Sequence, residues 1–189
     1  MDSPVEGQAA APERRRIRAV PVLAALLVFA VASAGAFATL WLTADTETTP
    51  SDVDRFLDAR APVVSDRAVE VTNLLVNYDA TTISEVGEQL LEISTGGFFD
   101  DYEDLVGSGN LERALRRASA SSRGRIVDDP EIYFRDPSEA VAIVTVSQTA
   151  QSRNNPGGTT TEYVFRIILV LAGGEWKADD VMVLSTRET

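Results

Sequence analysis

The residues from Ala19 to Ala44 carry no formal charge, and they follow directly on Arg14, Arg15, Arg16 and Arg18. At about 1.5 Å rise per residue, a helix from Ala19 to Leu42 exceeds the roughly 30 Å hydrocarbon core of a bilayer. One membrane-spanning helix is therefore predicted over 19–44, and this stretch is withdrawn from any water-soluble core. The arginines precede the span and Asp45 and Glu47 follow it. The positive-inside bias then predicts a cell-membrane protein with a cytoplasmic N-terminus and an extracytoplasmic remainder. Pro21 falls in the first turn, where a missing amide costs little, and Trp41 falls near the outer interface, where amphipathic rings accumulate. The alternative is a cleaved signal peptide, since Ala32-Ser33-Ala34 and Ala34-Gly35-Ala36 have the small-residue form of a cleavage site. The apolar run through Phe37, Leu40, Trp41 and Leu42 overshoots a secretory core and favours an uncleaved anchor.

Removing 44 of the 189 residues leaves 145, the size of one compact domain. Of 17 basic and 29 acidic residues, the four arginines and Asp2, Glu6 and Glu13 lie before the span, which leaves 13 against 26 beyond it. A net charge near −13 argues against nucleic acid and against broad electrostatic binding to anionic lipid headgroups. The chain has no cysteine, so its outer part is stabilised by a core and not by disulfides. It has no histidine either, which excludes the usual zinc sites and Ser-His-Asp or Cys-His catalysis.

Residues 1–18 read as a disordered cytoplasmic tail and 45–52 as a Thr- and acid-rich stalk, with Ser51 or Asp52 available to cap a following helix. The outer domain is expected over 53–187, with helices in 53–120 and a sheet in 125–185. Val53, Phe56, Leu57, Val64, Ala68, Val71, Leu75 and Tyr78 follow the spacing of one helix face, and Pro62 is expected to kink or restart that helix. Thr82-Ile83-Ser84-Glu85 has capping-box spacing ahead of a second stripe, Ile83, Val86, Leu90 and Ile93, which is expected to stop at Gly96-Gly97. Phe98, Tyr102 and Leu105 or Val106 predict a third helix, ended at Gly107-Ser108-Gly109. Leu111, Ala114, Leu115 and Ala118 predict a fourth. The period then changes, and 125–135, 140–151, 161–172 and 175–185 predict four strands. Ala172-Gly173-Gly174-Glu175 forms a tight hairpin, and Asn154 to Gly158 a longer exposed one. Tyr163, Phe165, Ile167, Leu169 and Leu171 share the face expected to meet the helices. Helices followed by a meander give an α+β domain, its helices packed on a curved antiparallel four-stranded sheet.

An arginine cluster, one span, helices and a late sheet ending in Gly-Glu-Trp-Lys-Ala-Asp-Asp-Val form an order that resembles Mce-associated membrane proteins. The matching elements are Asn77-Tyr78-Asp79 at a helix end, Thr95-Gly96-Gly97-Phe98 with Tyr102 after it, Val144 to Thr149, and Trp176 to Asp180. The resemblance runs from Arg14 to Leu184. It implies a cone-shaped domain like nuclear transport factor two, also called SnoaL-like or cystatin-like. It further implies an accessory role beside Mce systems, which import lipids or sterols, and it brings no catalytic residues or cofactor. The VirB-type assembly factor of type IV secretion is similar in plan, with the same anchor and outer domain, and stands as the alternative.

Cone-shaped folds of this type can do acid-base chemistry with Asp and Tyr, so Asp79 with Tyr78, or Asp100 and Asp101 with Tyr102, are candidates. Helix capping and packing account for the same residues more simply, and a non-enzymatic chain is expected. Tyr78, Tyr102, Phe165 and Trp176 either fill the cone or line a pocket for a lipid or sterol. Arg113, Arg116, Arg117, Arg123 and Arg125 form a positive cluster on an acidic domain and can meet an acidic partner or simply be solvated. Glu162 and Arg166, with Val164 and Ile168, make a half-apolar strand face suited to a protein partner or to a second copy. In the span, Ala32, Ala34, Gly35, Ala36 and Ala38 offer a close-packing patch to a neighbouring helix.

Overall fold

The computed structural model describes residues 52–188. The predicted tail and span and most of the stalk lie outside these residues, and no helix among the described ones is long and apolar enough to cross a membrane. Four helices come first: α1 (Asp52–Val76), α2 (Ile83–Glu92), α3 (Gly96–Gly107) and α4 (Asn110–Ala118). Six strands accompany them, β1 (Tyr78–Asp79), β2 (Ser121–Ile126), β3 (Glu131–Asp136), β4 (Glu139–Ser152), β5 (Asn155–Ala172) and β6 (Glu175–Glu188). The sheet is antiparallel in the order β1-β2-β4-β5-β6, with β3 beside β2 on the same edge of β4. The α+β cone expected from the sequence is present, with six strands where four were expected.

The extra strands have local causes. The predicted strand over 125–135 is two, because Asp128-Asp129-Pro130 interrupts it. Ile126 pairs with Val146 and Glu131 with Ile143, so four intervening residues oppose two. The first strand also starts earlier, at Ser121. Tyr78, placed by its spacing on the first helix, instead begins β1 and pairs with Ser122. Helix α1 stops because Asn77 turns the chain: its Nδ2 donates to Asn73 O at 3.1 Å, and its Oδ1 accepts from Gly124 N at 2.9 Å. Pro62 lies inside α1 without restarting it, on the exposed side where water can reach the carbonyl it leaves unpaired. Gly96-Gly97 opens α3 and does not close α2, which ends at Glu92. The connection after β4 is also shorter than predicted, since β5 begins at Asn155.

The core lies between the helices and the concave sheet face. Val64, Ala68, Val71 and Val76 from α1, Leu90 from α2, and Val144, Val146, Ile167 and Leu169 from the sheet are all 0–1% exposed. Each such aliphatic side chain contributes about 1.5–3 kcal/mol by leaving water. Residues 140, 142, 144 and 146 of β4 are buried while 139, 141, 143 and 145 face outward, the period-two alternation of a sheet with one covered face. The small side chains at Ala140 and Ala142 leave room for Phe134 and Trp176, which meet edge to face at 6.1 Å. Gly173 (φ 62°) and Gly174 (φ 92°) form the predicted β5–β6 hairpin. Strand β6 carries register shifts opposite Val164/Phe165 and Ile168/Leu169, each inserting one extra residue.

A Cβ on Gly124 would stand 2.5 Å from Val76 Cγ2 and 2.7 Å from Val76 Cβ. Gly124→Ala is therefore expected to cost about 1–3 kcal/mol by overpacking. Gly87→Ala, whose Cβ would meet Val106 at an ordinary 3.5 Å, is expected to be neutral or stabilising by up to about 1 kcal/mol. Urea unfolding of the two variants checks the contrast.

Candidate functional site: a filled cone and an outward wall

Tyr78, Tyr102, Phe165 and Trp176 belong to the core, each 5–7% exposed. Tyr78 packs with Ile83 and Leu115, Tyr102 lies 5.8 Å from Phe98, and Phe165 stacks on Tyr163 at 5.9 Å. Burial pushes the phenols of Tyr78 and Tyr102 up to about 12, so both stay neutral at physiological pH. A cleft of about 260 Å³ borders this core at Trp176, between Val63, Asp66, Arg67 and Glu70 of α1 and Gly174 and Glu175 of the last hairpin.

Neither acid–tyrosine combination is brought together. Along β1 the side chains alternate, so Tyr78 points inward and Asp79 outward. On α3, Tyr102 is buried whereas Asp100 and Asp101 are exposed. Asp79 Oδ1 accepts from Thr81 N (2.8 Å), Thr81 Oγ1 (2.6 Å) and Thr82 N (3.1 Å), and Asp79 Oδ2 pairs with Arg123 Nη2 at 3.0 Å. Bonds from Thr81 first, and then from Arg123, hold this carboxyl well below the usual carboxylate range. The expected capping box at Thr82 does not form. Its hydroxyl instead accepts from Asp79 N at 3.0 Å, closing the same turn.

Two distant sequence elements meet at the edge of β6. Thr95 N donates to Ala178 O at 2.8 Å, and Ala178 N donates to Ile93 O at 2.9 Å. Gly96 has φ 57°, and the place a Cβ would take is filled by the Asp179 carboxylate. Thr-Gly-Gly-Phe and Trp-Lys-Ala-Asp-Asp are thus halves of one contact.

The arginines divide between two surfaces. Arg113, Arg116 and Arg117 are exposed on α4. Arg113 donates to Gly109 O and Asn110 Oδ1, and Arg116 pairs with Glu112. Arg153, unremarkable in sequence, joins this end of the fold: its N–H donates to Ala118 O at 2.8 Å and its Nη2 to Ser119 Oγ at 3.2 Å. Arg123 and Arg125 stand instead on the outer face of the sheet. There Glu162 lies across from Arg187, and Arg166 Nη2 pairs with Asp180 Oδ2 at 3.2 Å, so Glu162 and Arg166 share a face without pairing. The face carries both signs, with Arg123, Arg125, Arg135, Arg166 and Arg187 among Asp79, Glu131, Glu139, Glu162 and Asp180. Between these charges it carries apolar residues, with Tyr133, opposite Val141, 55% exposed. Arg166 Nε is buried without a hydrogen-bond partner.

No family model and no curated protein matches the sequence. Solved structures are similar to this chain at low identity, and the first of them shares the fold. An IcmL-like type IV secretion system protein from Legionella pneumophila is similar at a TM-score of 0.51 and 12% identity, over 69% of this chain and 91% of that one. CagV, a VirB8 homolog of the type IV secretion system of Helicobacter pylori, gives 0.45 and 11%, over 68% and 97%. A hexachlorocyclohexane dehydrochlorinase, LinA Type2, gives 0.46 and 14%, over 74% and 93%. The fold is that of a nuclear-transport-factor-two-like domain.

Asp79 holds its proton more weakly folded than unfolded. The stability it contributes is full above its unfolded value near 4 and is lost as pH falls below that. Asp79→Asn is expected to flatten the fall in stability below about pH 4. Acid titration of the urea midpoint, wild type against variant, measures it.

Proposed function

We propose that this chain is a non-enzymatic, single-pass assembly subunit of a multiprotein complex in the cell envelope. The observation that carries this reading is that the cone is filled while an apolar wall with charges of both signs faces outward. An outward apolar wall supports the reading of a subunit that meets other proteins. The arginines of α4 and Arg153 provide a second contact on an otherwise acidic domain.

The IcmL-like neighbour is described as a type IV secretion system protein. That supports a VirB-type secretion assembly factor ahead of an Mce accessory subunit. The Mce reading retains one observation in its favour: two of the elements that carry the resemblance, Thr95-Gly96 and Ala178-Asp179, are bound to each other.

Crosslinking in the native membrane, followed by identification of what co-purifies, separates these readings. Secretion-channel components are expected; Mce permease or solute-binding subunits would shift the assignment to lipid import. Retained lipid with no protein partner would overturn the assembly role. Reversing charge in Arg116→Glu/Arg117→Glu is expected to reduce partner recovery several-fold while leaving the fold intact, and unchanged recovery would remove α4 from the interface.

A further inference from the structure

The cleft beside Trp176 lies apart from both the outer wall and α4. Its volume of about 260 Å³ falls below the roughly 300–1,000 Å³ of sites that enclose a drug-sized molecule, so it suits one long side chain. One wall is Val63, Asp66, Arg67 and Glu70 on a single face of α1, and the other is Gly174 and Glu175 of the last hairpin. At Gly174 (φ 92°) a Cβ would meet nothing within 4 Å, so the hairpin wall is open where a side chain would otherwise stand. Trp176 completes the lining, held edge to face on Phe134. In the same lining Val63 is 57% exposed, an apolar surface left to water.

Two polar features of this lining lack partners. Arg67 Nη1 pairs with Glu70 Oε2 at 2.9 Å, whereas Asp66 and Glu175, from opposite walls, make no ion pair or hydrogen bond. Three carboxylates against one guanidinium leave the cleft at −2. The Trp176 indole N–H also donates to no residue, although the side chain is only 5% exposed. It is not one of the sealed polar atoms, so it is reached through the small part of the ring that remains open. An indole N–H in so buried a ring ordinarily finds an acceptor.

We propose that this cleft receives an arginine side chain from an extended segment of a partner protein, with Asp66 and Glu175 holding the guanidinium and Trp176 N–H donating to a backbone carbonyl of the same segment. Arginine fits the lining better than lysine. Its planar, weakly hydrated head packs against an indole and offers several donors to carboxylates on two sides, whereas an ammonium is compact and strongly hydrated. The free carboxylates disfavour an anionic occupant, and an apolar one would bury them unpaired. The contact does not depend on which envelope complex contains the chain.

The sequence has two tryptophans, so Trp41→Phe in the full-length, detergent-solubilised protein leaves Trp176 as the sole indole emitter, within the site itself. Titration with the peptide acetyl-Gly-Arg-Gly-amide at constant ionic strength is expected to change that emission saturably, with a Kd on the order of 1 mM. The same peptide with citrulline, which keeps the shape and loses the charge, is expected to bind about tenfold more weakly. Asp66→Asn/Glu175→Gln is expected to weaken the arginine peptide about tenfold with the circular dichroism spectrum retained. Asp101→Asn/Glu103→Gln removes exposed acids of α3 and is expected to leave binding unchanged, which separates the cleft from the general attraction of an acidic domain for a cation. Absence of a saturable change, equal binding of the citrulline peptide, full binding by Asp66→Asn/Glu175→Gln, or an equal loss from the α3 pair would each overturn the proposal. Crosslinking in the membrane reads the assembly role separately: secretion components recovered without peptide binding would uphold that role and remove the cleft from it.

Discussion

At the end of α1 the helix lies directly on β2, with no side chain at Gly124 to hold them apart. Ser122 Oγ donates to Val76 O at 2.8 Å and Gly124 N to Asn77 Oδ1 at 2.9 Å, so the last helical carbonyl and a strand amide are satisfied in one closure. Everything after it takes its position from this contact. The chain emerging from Asn77 is already beside β2, which makes two residues enough for β1. The strand alternation then buries Tyr78 and exposes Asp79, and the Asp79 turn aims α2 across the core.

The same closure decides where binding can occur. A cone with room at its centre would offer a site defined by its lining. Here aromatic rings from α3, β3, β5 and β6 pack into the main core, and the Tyr102 hydroxyl among them stays neutral. The convex side has the opposite character, with aliphatic residues on two long strands and charges of both signs around them.

Much of this was legible in the sequence, for reasons that particular residues make plain. Val64, Ala68 and Val71 keep helical spacing, and Phe165, Ile167 and Leu169 alternate, so the periodicity alone assigned the buried faces. Gly173-Gly174 declared its turn through composition. What escaped depended on partners distant along the chain. Tyr78 continued the helical stripe and left the helix only because Asn77 binds Gly124, which lies 47 positions away. Thr82 had the spacing of a cap but found a nearer partner in Asp79. Arg153 carried no periodic signal, and its place beside α4 appears only when β4 turns back. Glu162 and Arg166 were correctly set on one face, but their neighbours Arg187 and Asp180 come from a different strand.

The two extra residues in β6 bear on how such domains associate. Each register shift twists the strand locally, and at Ala178 its outer edge is already taken by Ile93 and Thr95. A foreign strand would find that edge occupied at Ala178 and out of step at Leu184. Growth by edge-to-edge pairing, the route to open-ended fibres, is therefore discouraged.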